Sequence, residues 1–111
     1  MVAGNSSGQL RRPAARTSAI VTVIWQASAR ADVIRLVRYI AEENPIAARR
    51  VARELILAGD SLIVFPRRGR VGRIPGTREL VTVSPYIMVY EVDGFDGVQI
   101  LSVWHGAQDR P

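Results

Sequence analysis

An α+β domain in the order β-α-α-β-β-β, a helical hairpin packed on a curved antiparallel sheet, is the fold this sequence predicts. Three observations predict it. Two apolar stripes of helical period meet at Asn44-Pro45, a connection so short that the helices must be antiparallel neighbours. A β-branched run, Ala19–Trp25, precedes them. Three further strand-like runs follow, joined by the short Pro- and Gly-bearing turns of a meander.

Residues 1–18, MVAGNSSGQLRRPAARTS, are small, polar and basic without hydrophobic period, and read as a disordered extension. The single domain takes residues 19–111. Arg11-Arg12 ahead of the run AIVTVIW, with Ala27-Ser28-Ala29 behind it, has the outline of a signal peptide. The run is only seven residues and contains Thr22, so it reads as the first strand, and a cytoplasmic protein is expected. Nothing approaches the ~18 apolar residues of a membrane span.

Ser28 is placed to cap a first helix running to about Glu43, with Val33, Leu36, Val37 and Ile40 as its apolar stripe. Pro45 disfavours helix at Asn44 but suits the first helical position, so Asn44 caps the second helix. That helix is expected to bury Ala48, Val51, Ala52, Leu55, Ile56 and Leu62, and Phe65-Pro66 closes it. The runs Glu79–Ser84, Tyr86–Val92 and Val98–Trp104 are the remaining strands. Tyr86–Val92 is apolar on both faces, which marks it as central.

Between the second helix and these strands lies FPRRGRVGRIPGTREL. Its 16 residues hold Arg67, Arg68, Arg70, Arg73 and Arg78, broken by three glycines and Pro75. It reads as an ordered connection displaying guanidinium groups, which bond bidentately to phosphates and carboxylates. All 15 basic residues of the chain are arginine, which excludes lysine Schiff-base chemistry. Without the three arginines of the extension, 12 arginines face 10 acids, so the domain is mildly basic with its charge concentrated in this loop. That argues for a local anionic contact over a general nucleic-acid coat. Cysteine is absent and histidine single, so disulfides, thiol catalysis and a zinc site are not expected. No phosphate-loop pattern occurs, and no cofactor is expected.

Taken together, Asn44-Pro45, Phe65-Pro66, Gly69-Arg70, Pro75-Gly76-Thr77-Arg78-Glu79-Leu80, Pro85-Tyr86-Ile87 with Tyr90, and Ile100-Leu101-Ser102-Val103 before His105-Gly106-Ala107 carry a resemblance in order and spacing. From about Val23 to Pro111 the chain resembles the RelE/ParE superfamily of toxins from type II toxin–antitoxin modules. The resemblance implies neutralisation by a cognate antitoxin, a dimeric ribbon-helix-helix or similar DNA-binding protein. Operator DNA is then reached only through the antitoxin. Its tail would fold across the hairpin and sheet, with Arg35, Arg38, Arg49 and Arg53 as contacts for an acidic, partly apolar segment.

Two activities divide the superfamily. RelE-like members cleave mRNA on the ribosome; ParE-like members cleave nothing themselves and poison DNA gyrase. RNA cleavage needs a base for the 2′-OH, charge for the phosphorane and a proton for the leaving oxygen. Thr82 and Ile87 stand where RelE-like chains often carry arginine, and the last tyrosine is Tyr90. Arg78, Tyr86, Tyr90 and His105 are the residues left for a nuclease, Arg78, Tyr90 and His105 foremost, although Tyr86 and Tyr90, alternating with Met88, are expected to pack and not to react. The gyrase-poisoning branch, with growth arrest and plasmid stabilisation, is therefore expected over the endoribonuclease, and catalysis is not. A degenerate toxin that only binds its antitoxin is the third reading. Target contacts are expected from Arg67, Arg68, Arg70, Arg73 and Arg78 and from Trp104 and His105 in the C-terminal segment Trp104–Pro111.

Overall fold

In the computed structural model, residues 22–83, 85–94 and 97–106 are described. The 1–18 extension and the part of the C-terminal segment beyond Gly106 lie outside them, as does the tip of the last turn, Phe95-Asp96.

Strand β1 (Val23–Trp25) leads at once into α1 (Ala27–Ala41). Helix α2 (Pro45–Val64) follows after three residues, with Pro45 at its first position. Asn44 caps it as expected: its Oδ1 accepts from the amide of Ala47 at 3.0 Å. Then come β2 (Arg70–Val71), β3 (Arg78–Val81), β4 (Tyr86–Val92) and β5 (Val98–His105). The sheet order is β1-β5-β4-β3-β2, and β4 is central, as its two apolar faces require.

The strands β2 to β5 pair antiparallel in sequence order. At the other edge the expectation of an all-antiparallel sheet needs correcting. Strand β1 pairs parallel to β5, Val23 opposite Val98 and Trp25 opposite Ile100, so the sheet is mixed. No turn links these two strands; the helical hairpin and strands β2 to β4 all lie between them in the chain, and so long a connection permits parallel pairing. The added strand β2 sits inside the arginine-rich connection, where Arg70 pairs with Glu79 and Val71 with Arg78.

The core lies between the helices and one face of the sheet. Leu55 and Leu62 of α2 meet Met88 and Tyr90 of β4 and Val98 and Ile100 of β5, all fully buried. Val33, Leu36 and Ile40 of α1 pack against the margin of this cluster. Helix α2 approaches β1 so closely at Gly59 that a Cβ there would stand 2.6 Å from Cζ2 of Trp25. One expected core residue is not in the core. Ile56 is 54% exposed and lines an apolar recess with Val23, Ile24, Val33 and Ile34.

Ser28 is also not the cap. The α1 N-cap position belongs to Gln26, which makes no side-chain cap bond. Ser28 lies one position inside the helix and donates its hydroxyl to the carbonyl of Leu101 at 2.7 Å. Asp32, one turn on, accepts the amide of Val103 on Oδ2 at 2.9 Å. Both bonds fall where β1 has ended and β5 continues. The backbone groups of an unpaired strand edge need partners, and two side chains four apart on one helix face supply them.

Candidate functional site

The arginine-rich connection is ordered by its own charges. Glu79, only 5% exposed, accepts from Arg70 Nη2 at 3.0 Å and from the amide of Arg73 at 3.3 Å. Arg78 donates through Nη1 to the carbonyls of Gly69 at 2.7 Å and Arg67 at 3.1 Å. Arg68 reaches back to α2 and donates to Ser61 Oγ at 2.9 Å. The guanidinium groups thus build the loop as well as coat it, yet Arg67, Arg68, Arg70 and Arg73 keep surface exposed to solvent.

Tyr90 completes this knot from below. It is fully buried, and its hydroxyl accepts the amide of Gly69 at 2.9 Å. A Cβ on Gly69 would stand 2.8 Å from that hydroxyl and 2.9 Å from the carbonyl of Glu79. Arg78 and Tyr90 are opposite one another in the β3–β4 ladder, so cross-strand geometry puts both side chains on one face. They hold the two polar groups of the same peptide region, Gly69 N–H and Gly69 C=O.

His105 is elsewhere. It pairs with Tyr86 at the far end of β4, four residues from Tyr90, or about 13 Å at the ~3.3 Å rise of a strand. Of the residues left for a nuclease, Arg78 and Tyr90 therefore stand apart from Tyr86 and His105. What His105 joins is a cleft of about 400 Å³ between α1 and the ends of β4 and β5, lined by Asp32, Arg35, Tyr39, Tyr86, Trp104 and His105 among others. The rings of Tyr86 and His105 meet edge to face, with centroids 5.6 Å apart and planes at 86°. Arg35 Nη2 contacts Asp32 Oδ1 at 2.6 Å, and the other oxygen of Asp32 is taken by the Val103 amide. Trp104, on the neighbouring strand position, is half-buried.

The arginines expected to meet an antitoxin fall into two groups. Arg35 and Arg38 share the outer face of α1 with Ile34 and Tyr39, around a second cleft of about 480 Å³. Arg49 and Arg53 are exposed on α2, one turn apart and hence on one face. Tyr39 was not singled out from the sequence, although it is 76% exposed. Its position off the apolar stripe of α1 was the available signal. Asp32 was missed because the Val103 amide it holds is 71 residues away in sequence, although Arg35, three residues on, was an available local signal. Among the described residues no group of three or more His, Cys, Asp or Glu could hold a metal ion, and no helix is long and apolar enough to cross a membrane.

Comparison with known proteins covers nearly all of this domain. A family model described as the ParE toxin of type II toxin–antitoxin systems, parDE, matches residues 23–110. Toxin RelE2 of Caulobacter vibrioides is 41% identical over 87 residues, which are 78% of this chain and 96% of that protein. Among solved structures, the chromosomal ParDE toxin–antitoxin system of P. aeruginosa aligns with a TM-score of 0.69 at 21% identity, over 78% of this chain and 96% of the other. The toxin–antitoxin complex RelBE2 of Mycobacterium tuberculosis aligns with a TM-score of 0.58 at 25% identity, over 78% and 98%.

Proposed function

The chain belongs to the RelE/ParE superfamily of type II toxin–antitoxin toxins, and from that membership we propose that it arrests growth by poisoning DNA gyrase while a cognate antitoxin neutralises it in the cytoplasm. One observation carries the choice of branch: the candidate catalytic residues are dispersed. Tyr90 is buried beneath Gly69, Arg78 is bonded to two backbone carbonyls, and His105 lies at the other end of the sheet. Phosphoryl transfer to a 2′-OH requires acid, base and cation around one phosphorus atom. A toxin that traps another enzyme's cleaved DNA needs no such convergence, only a rigid surface. The loop knotted by Glu79, Arg78 and Tyr90 supplies one, with Arg67, Arg68, Arg70 and Arg73 at its surface, and Trp104 and His105 are the contacts assigned to the other end. The exposed faces bearing Arg35 with Arg38, and Arg49 with Arg53, are the surfaces we assign to an acidic antitoxin tail.

The names of the similar proteins are divided between the two branches, and His105 beside Tyr86 and Arg35 favours, as the second reading, a ribosome-dependent mRNA endoribonuclease. The two separate in growth assays. Under the gyrase reading, the parent leaves cellular mRNA uncut while chromosome breaks accumulate. His105→Ala and Arg78→Ala chains that still bind antitoxin also leave mRNA uncut but break the chromosome less, because each alters the target-contact surface. If the parent cuts ribosome-bound mRNA and His105→Ala lowers that cleavage by the roughly 10²–10⁴-fold of a lost general acid or base, the nuclease reading replaces it.

A further inference from the structure

Tyr39 is the least explained aromatic residue of the molecule. It stands 76% exposed on α1, contributing nothing to the core. It forms the ridge between two clefts and lines both, together with Arg35. Across the cleft of about 400 Å³, at the sheet, stands the edge-to-face pair Tyr86–His105. Arg35, whose side chain is 71% exposed, is steadied at the base by Asp32, itself fixed to the backbone of β5. The cleft therefore has aromatic rings on opposite walls and one cation whose position is set before anything binds. At about 400 Å³ it lies within the range of ordinary small-ligand sites, roughly 300–1,000 Å³.

From this arrangement we propose that the cleft between α1 and the ends of β4 and β5 binds one unstacked nucleotide, its base against Tyr39 and the Tyr86–His105 pair and its phosphate on Arg35. Aromatic side chains with an adjacent guanidinium are how proteins hold bases that have left a stack, since every base has a π-face. An acidic antitoxin tail on the Arg35–Arg38 face would compete for the same guanidinium; what sets the nucleotide apart is the base, which uses the rings that a carboxylate leaves unused. Duplex is not accommodated, because its bases are stacked and paired. The site lies on the helix side of the sheet and does not depend on the gyrase reading; Arg38, beyond the Tyr39 ridge, is placed to meet the next phosphate of a strand.

The test is a titration of the full chain, freed of antitoxin, with end-labelled eight-residue single strands of DNA and of RNA, the duplex of the same sequence, and a mononucleotide. Fluorescence anisotropy reports binding of the strands, and competition by the mononucleotide reports the isolated site. Both single strands are expected to bind in preference to duplex. Tyr39→Ala should weaken them by about 5- to 150-fold, the range of a lost base–aromatic stack. Arg35→Gln should weaken them too, and Arg50→Gln, which removes one exposed charge from α2, should not. Tyr39 is on the surface, so its replacement leaves the core intact. Competition by mononucleotide together with equal losses for RNA and DNA supports a site for the nucleotide itself, and a loss confined to one polymer supports a site for that strand. Equal affinity for duplex, equal effects of Arg35→Gln and Arg50→Gln, or an acidic peptide whose binding alone depends on Tyr39 would overturn the proposal.

Discussion

At the scale of single residues, the molecule spends its polar groups on order. Gly69 is the clearest case, because its amide is held by Tyr90 and its carbonyl by Arg78. Tyr90→Phe leaves the Gly69 amide without its acceptor, and an unmet buried donor costs about 1–3 kcal/mol. Urea denaturation of the purified chain should show a loss of that size. Gly69→Ala should cost more, since the added methyl meets the Glu79 carbonyl as well as the Tyr90 hydroxyl, and backbone yields less easily than a side chain. A neutral Gly69→Ala would mean that the loop is not held as described. The burial of Tyr90 was legible in its alternation with Met88, but its bond to Gly69 was not, and Gly69 read as one more loop breaker. The bonds that define both span 9 and 21 residues, and no local rule reports them.

At the scale of elements, legibility followed locality. The helical hairpin was readable because Asn44-Pro45 sets a cap and a first turn within adjacent residues, and the buried stripe of α2 because one helical period generates it. Ile56 broke the stripe because burial depends on what packs over a position and not on helical period alone. The parallel pairing of β1 and the role of Ser28 were hidden for a related reason: each is settled by β5, more than 70 residues away. Here α1 takes over the edge of β5 from β1, through Ser28 on the Leu101 carbonyl and Asp32 on the Val103 amide. The extra residue in β5 opposite Val89–Tyr90 gives a bulge at Leu101, which turns that part of the edge toward the helix. Asp32→Ala should destabilise the fold more than Ser28→Ala, because Asp32 also holds Arg35. A double-mutant cycle should give a coupling of at least about 0.5 kcal/mol, as for neighbours sharing one strand edge. Strict additivity would show that the two bonds act independently.

At the scale of the whole molecule, several large apolar side chains of the described residues lie at the surface. Tyr39 and Ile46 on the helices, Val64 and Phe65 at the end of α2, and Val71 on the outer strand β2 are all exposed. Surface of this kind normally meets a partner, and the arginines interleaved with it suit an acidic one. The antitoxin should therefore raise the melting temperature of the toxin in a concentration-dependent way, by about 2.7 kcal/mol of added stability at a hundredfold excess over its dissociation constant. Unchanged melting at saturating antitoxin would remove these faces from the interface. The central claim, a toxin that works by surface and not by its own bond-breaking chemistry, is most directly tested with gyrase itself. Purified protein is incubated with gyrase, supercoiled plasmid and ATP, then treated with protease, beside a tube of translating ribosomes and a defined mRNA. The account predicts linear plasmid and intact mRNA. Cut mRNA with the plasmid still supercoiled would contradict it.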